Sequence, residues 1–215
     1  SGVGNVLPQT NGSGEGSISV SPTTSTTYSL TATNTDGSTV RSTTLFVDVD
    51  PSTPRINEFS ADTAADGLLD EDGDNEDWIE IYNPGPASVD LAGWSLTDDQ
   101  LTPDRWSFPA GTTIAPDAYL LVFATGENLR DPSADLHTNF KLIQNGEYLA
   151  LVNPTGETQQ EFAPTYPEQF TDVSYGFPQG LNDPAYFTIP TPGEANNQSI
   201  QGFTKDTKFS VKRGF

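Results

Sequence analysis

Apolar residues in this chain come in short runs, each closed within a few positions by a turn built on Gly, Pro, Asn or Asp. Trp78-Ile79-Glu80-Ile81-Tyr82 runs into Asn83-Pro84-Gly85-Pro86, and Thr27-Tyr28-Ser29-Leu30-Thr31-Ala32-Thr33 into Asn34-Thr35-Asp36-Gly37. Side chains two apart on an extended chain share a face, so alternating runs of this length make half-buried strands. A helix needs apolar residues every three or four positions over a longer stretch, and no segment has that pattern. The expectation is an all-β protein. About seven to nine short strands, with turn signals at roughly ten-residue intervals, describe a β-sandwich.

In the main block the strands are expected at 55–59, 78–82, 89–91 leading into 93–96, 106–108, 113–114, 118–123, 148–152, 158–162 and 173–175. Residues 118–123 are almost wholly apolar, which predicts a central strand buried on both faces. Ahead of this block, 16–20, 27–33 and 38–49 read as further strands. Pro51 and Pro54 stiffen a linker at 51–54 and stop strand pairing from running through it.

Several phrases resemble the lamin tail domain. They are Ile56-Asn57-Glu58, Asp77-Trp78-Ile79-Glu80-Ile81-Tyr82-Asn83, Val89-Asp90-Leu91-Ala92-Gly93-Trp94-Ser95-Leu96 and Gly146-Glu147-Tyr148-Leu149. Ser174-Tyr175-Gly176 and Pro190-Thr191-Pro192-Gly193-Glu194-Ala195-Asn196 complete the set, all in the family's order. The resemblance implies an immunoglobulin-like β-sandwich at 55–200. It also implies, in bacteria, a place in exported multidomain proteins. Val20-Ser21-Pro22, followed by the run at 27–34 and Gly37, resembles the C-terminal half of a bacterial immunoglobulin-like repeat, here 1–50. Residues 201–215 resemble the start of a chitobiase/hexosaminidase C-terminal-type β-domain, which makes them an extended tail. With no signal-peptide pattern and Ser1 at its head, the chain is expected to be a segment of a longer secreted or cell-surface protein.

Charge narrows the partners. The net charge of −21 divides into −24 over residues 1–202 and +3 over 203–215. An acidic body of this kind repels nucleic acid and anionic lipid, and no apolar run approaches the length of a membrane span. The expected partners are other domains of the same chain, another protein, or a glycan. With no Cys, disulfides, thiolate metal sites and Cys nucleophiles are excluded.

The densest chemistry is Asp70-Glu71-Asp72-Gly73-Asp74-Asn75-Glu76-Asp77, six acids in eight residues. Two carboxylates about 6 Å apart in water repel by roughly 0.7 kcal/mol, so the loop is either fully solvated or cation-bound. Asp70, Asp72 and Asp74 have the spacing of the first ligands of a calcium loop. An EF-hand, however, would need Gly where Asn75 stands and Glu where Ile81 stands. The remaining candidate is a looser Ca²⁺ site on Asp70, Asp72, Asp74 and Glu76, joined by Asp66 or Asp77. Trp78 alternates with Ile79 and Ile81, which places Trp78, Glu80 and Tyr82 on the outer face and makes Trp78 and Tyr82 the candidate contact surface. His137, the single histidine, sits in a polar stretch and is expected at the surface or a strand edge. No phosphate loop and no triad pattern is present. The reading is therefore a non-catalytic structural or interaction module, with a Ca²⁺-dependent adhesion or carbohydrate-binding module as the alternative.

Overall fold

The computed structural model describes residues 26–34, 37–45, 53–64, 68–181, 183–196 and 198–203. The expected strand at 16–20 and the tail at 204–215 lie outside these residues. The chain divides into two compact units, Ser1–Asp48 and Val49–Phe215. In the first, β1 (Thr26–Asn34) and β2 (Gly37–Leu45) pair antiparallel, with Asn34 opposite Gly37. The hairpin thus turns where the Asn-Thr-Asp-Gly signal places it.

The second unit holds β3 (Arg55–Ser60), β4 (Trp78–Tyr82), β5 (Val89–Asp90), β6 (Ser95–Thr97) and β7 (Trp106–Ser107). It continues with β8 (Thr113–Ile114), β9 (Tyr119–Phe123), β10 (Leu136–His137) and β11 (Leu149–Val152). β12 (Thr158–Phe162), β13 (Ser174–Gly176) and β14 (Ala185–Phe187) complete it. They form a six-stranded sheet in the order β10-β9-β4-β3-β13-β14, a four-stranded sheet β12-β11-β6-β7, and a pair β5-β8. Among the described residues every element is a strand, and none is a helix long and apolar enough to cross a membrane. The fold is an all-β, immunoglobulin-like sandwich.

The inner faces of the two sheets supply the core. Ile56, Phe59, Ile79, Ile81 and Val122 come from the larger sheet, and Leu96, Trp106, Leu149, Leu151 and Phe162 from the smaller. Ile56 and Phe59 are three positions apart, which a regular strand would send to opposite faces. A bulge between Ile56 and Glu58 resolves this by inserting Asn57 as an unpaired residue against β4. Phe59 then joins the core, and Glu58 turns to the outer face opposite Glu80. Gln160 ties the sheets together by accepting from the Ile56 amide at 2.7 Å and donating to its carbonyl at 3.1 Å.

β9 is less enclosed than its composition predicts. Its only neighbour on one side is the two-residue β10, which pairs parallel with Val122 and Phe123. Those two residues are buried, and Tyr119, Leu120 and Leu121 are half-buried. β10 and β14 carry no strong sequence signal; each is too short for alternation to register.

Candidate functional site

The outer face of the larger sheet carries the chain's polar chemistry. Registered across β3, β4 and β9, it presents three rows: Ser60, Trp78 and Phe123; Glu58, Glu80 and Leu121; Arg55, Tyr82 and Tyr119. His137 extends the first row, opposite Phe123. An exposed sheet face would leave these side chains in water. Here two segments cover it.

The segment at 190–196 closes the middle row. Glu58 accepts from the Thr191 amide at 3.1 Å, from the Thr191 hydroxyl at 2.9 Å and from the Ser174 hydroxyl. Glu80 accepts from Asn57 Nδ2 at 2.8 Å and from the Gly193 amide. Asn196 Nδ2 donates to the carbonyls of Asn57 and Phe177, both at 3.1 Å. Glu58 and Glu80 are both 0 % exposed. Burial, augmented by the neighbouring Glu58 charge, pushes the Glu80 carboxyl up to about 7 despite the two donors on it. A carboxyl raised to this range is the kind a general acid uses. This one is sealed beneath the backbone at Gly193, so it reaches no substrate. Sequence reasoning placed Glu80 on the outer face but missed the clasp, because the partner segment lies 113 positions away from it.

The acidic loop reaches the other end of the face. Its first turn is organised by Asp70, whose Oδ1 accepts from the amides of Asp72 at 3.1 Å and Asp74 at 2.9 Å. Gly73 takes a φ of 85° there, a left-handed conformation that favours glycine. Glu71 turns inward and accepts from, or pairs with, His137 Nε2 at 2.8 Å. Glu71 is held below its ordinary value, first by its own backbone amide and then by His137. Glu76 points to Lys141 at 3.9 Å. Asp77 accepts from the Thr63 amide, and burial pushes its carboxyl up to about 6.

The loop therefore does not gather the carboxylates expected of it. Among the described residues, the one group of His and acidic ligand atoms that converges, all within 4.8 Å of one another, is Asp70, Glu71 and His137. Asp72 and Asp74 stay exposed, and Glu76 and Asp77 are drawn to other partners. Asp66 lies outside the described residues. Alternation along the loop cannot foresee this, since it is a turn closed on Asp70 rather than a strand.

For His137 the strand-edge alternative holds. It does lie on the sheet's edge strand, but it is 1 % exposed rather than at the surface. Its Nδ1 meets Thr125 Oγ1 at 3.0 Å, Glu127 lies 3.4 Å from the same nitrogen, and the ring packs against Phe123. Trp78 is a correction. At 0 % exposure it offers no contact surface, because the outer face on which alternation places it is itself covered. Tyr82 remains half-exposed, stacked on Tyr119 at 4.7 Å and hydrogen-bonded to Asp117.

Two packed, mainly antiparallel sheets with this closure define an immunoglobulin-like β-sandwich domain. No match is found among curated proteins. The Lamin Tail Domain family matches residues 50–165, more than half of the 215-residue chain, and the chain belongs to that family. It is a structural, immunoglobulin-like family and not a catalytic one.

Proposed function

We propose that the chain serves as a non-catalytic structural and interaction module of an exported or cell-surface multidomain bacterial protein, spacing or presenting the other domains. The observation that carries this reading is the fate of the buried acids. Glu58 and Glu80 are spent on closing the sandwich, 0 % exposed beneath 190–196. The acidic surface, at −21 overall, favours solubility and cationic partners over nucleic acid. The resemblances at 1–50 and 201–215 to parts of a repeat and of a following β-domain support a multidomain setting. The test is a panel of chromogenic glycosides, esters and phosphates with the full chain and its Glu80→Gln variant. No turnover above buffer is expected from either. Turnover abolished by Glu80→Gln would overturn the reading. Protease shaving of intact cells that make the parent protein tests its surface location.

A second reading is a Ca²⁺-dependent adhesion or carbohydrate-binding module. The observation favouring it is the turn at Asp70, on which Asp72 and Asp74 are both exposed. Ca²⁺ at a hundred times its Kd would stabilise the fold by about 2.7 kcal/mol, so melting in Ca²⁺ and in EGTA decides it. With Trp78 buried, the glycan version rests on Tyr82, and a glycan array repeated with Tyr82→Ala tests it.

A further inference from the structure

We propose that Asp70, Glu71 and His137 bind a divalent transition-metal ion of the zinc class, each acid supplying one carboxylate oxygen and His137 its Nε2. The proposal rests on the acidic loop being a cation site, and it changes both the ligands and the ion. Sequence spacing alone points to carboxylates and Ca²⁺. The fold instead brings a nitrogen ligand to the loop from β10, 66 positions further along the chain.

The imidazole is set as a ligand would be. It is 1 % exposed, packed against Phe123, and held from behind at Nδ1 by the Thr125 hydroxyl at 3.0 Å. Fixing one ring nitrogen with a hydrogen bond orients the other toward a metal, and a carboxylate nearby strengthens it as a donor. Glu127, 3.4 Å from Nδ1, stands in that position. Nε2 points out of the sheet at the loop.

The dimensions fit a small ion. The three ligand atoms lie within 4.8 Å of one another. Around a tetrahedral zinc with bonds of about 2.1 Å, ligand atoms sit about 3.4 Å apart. Closing the set requires movements of about 1 Å. Glu71 must also move out from its 2.8 Å contact with Nε2. Its side chain is 39 % exposed. Ca²⁺ takes six to eight hard oxygen ligands, whereas imidazole suits zinc, cobalt, nickel and copper. Two carboxylates balance the ion's charge. The ion would fasten the acidic loop to the edge of the sheet, replacing a hydrogen bond by coordinate bonds.

The test is a Co²⁺ titration of the full chain without an affinity tag, read by visible absorbance, with melting curves in Zn²⁺, Ca²⁺ and chelator. Expected are ligand-field bands that saturate at one equivalent and are bleached by Zn²⁺, and a Zn²⁺-dependent rise in Tm. His137→Gln should abolish the bands. Glu71→Gln should weaken Zn²⁺ binding about tenfold or more, while Asp72→Asn with Asp74→Asn should leave the bands in place. If His137→Gln fails to fold, Glu71→Gln carries the test, because the glutamine oxygen can still accept from the imidazole. Absence of both bands and Zn²⁺ shift, or a Zn²⁺ affinity that Glu71→Gln leaves unchanged, overturns the proposal. A shift with Ca²⁺ and none with Zn²⁺ overturns it too, but leaves the acidic loop a cation site.

Discussion

Glu80→Gln should remove the Glu80 share of the sandwich's pH-dependent stability between pH 4.5 and 8. The wild-type carboxyl titrates at about 7 in the folded state, against 4.5 for an ordinary glutamate. A raised pKa means that the folded protein binds the proton more tightly than the unfolded chain. The contribution is fully present below pH 4.5 and is lost as pH rises through 7. At 1.36 kcal/mol per unit, the loss is about 3 kcal/mol. The variant's side-chain amide cannot ionise, so this dependence disappears. That amide keeps an acceptor for Asn57 but turns N–H toward the Gly193 amide, two donors facing each other, at a cost of about 1–3 kcal/mol. The variant should therefore be the less stable protein at pH 4.5 and should draw level with or pass the wild type by pH 8. Urea unfolding followed by tryptophan fluorescence at four pH values reads the difference directly. Asp77, also raised, titrates in both proteins and cancels. A wild-type minus variant gap that stays flat within about 1 kcal/mol across this range would refute the claim that burial raises the Glu80 carboxyl.

Gly176→Ala should destabilise the domain by more than about 3 kcal/mol, visible as a large fall in Tm. The new Cβ would stand 2.2 Å from the Asn57 carbonyl oxygen and 2.7 Å from Glu58 Cα, both backbone atoms that cannot step aside. Asn196→Ala should cost about 2–4 kcal/mol in urea unfolding, because the carbonyls of Asn57 and Phe177 each lose a side-chain donor. Asp77→Asn should gain about 2 kcal/mol on the wild type between pH 4 and pH 8. Its carboxyl is pushed up to about 6 by burial, so the charge it carries above that pH is a burden on the fold.

Much of the sandwich was legible because its strands are local statements. The WIEIY run alternates, the hairpin at 153–156 carries turn residues, and the inward isoleucines of β4 follow from period two. The bulge at Asn57 is also visible afterwards as the three-residue step from Ile56 to Phe59. The outer face was not legible. Period two says which side Trp78, Glu80 and Tyr82 occupy, but not whether that side is wet. Its dryness is decided by Thr191, Gly193 and Asn196 over the middle row and by Glu71 meeting His137 at the edge. The acidic loop misled for a related reason. Spacing counts carboxylates but cannot tell that Asp70 will cap its own turn while Glu76 and Asp77 leave for Lys141 and Thr63.

These contacts also bear on what the family match means for the domain. It ends at residue 165, before β13 and β14 complete the larger sheet and before the clasp reaches Glu58 and Glu80. Without the clasp, two carboxylates on neighbouring strands would face water on a half-built sheet, and charge and solvation would favour parting them. With it, each has amide or hydroxyl donors from the closing segment, and the bulge at Asn57 gains partners for both its side chain and its carbonyl. The polar outer face and the closing segment are therefore one device. The same residues that could pass for a buried catalytic pair hold the segment 190–196 on the sheet, and the half-exposed Tyr82 and Tyr119 are left at the uncovered end of that face, where another surface can reach them.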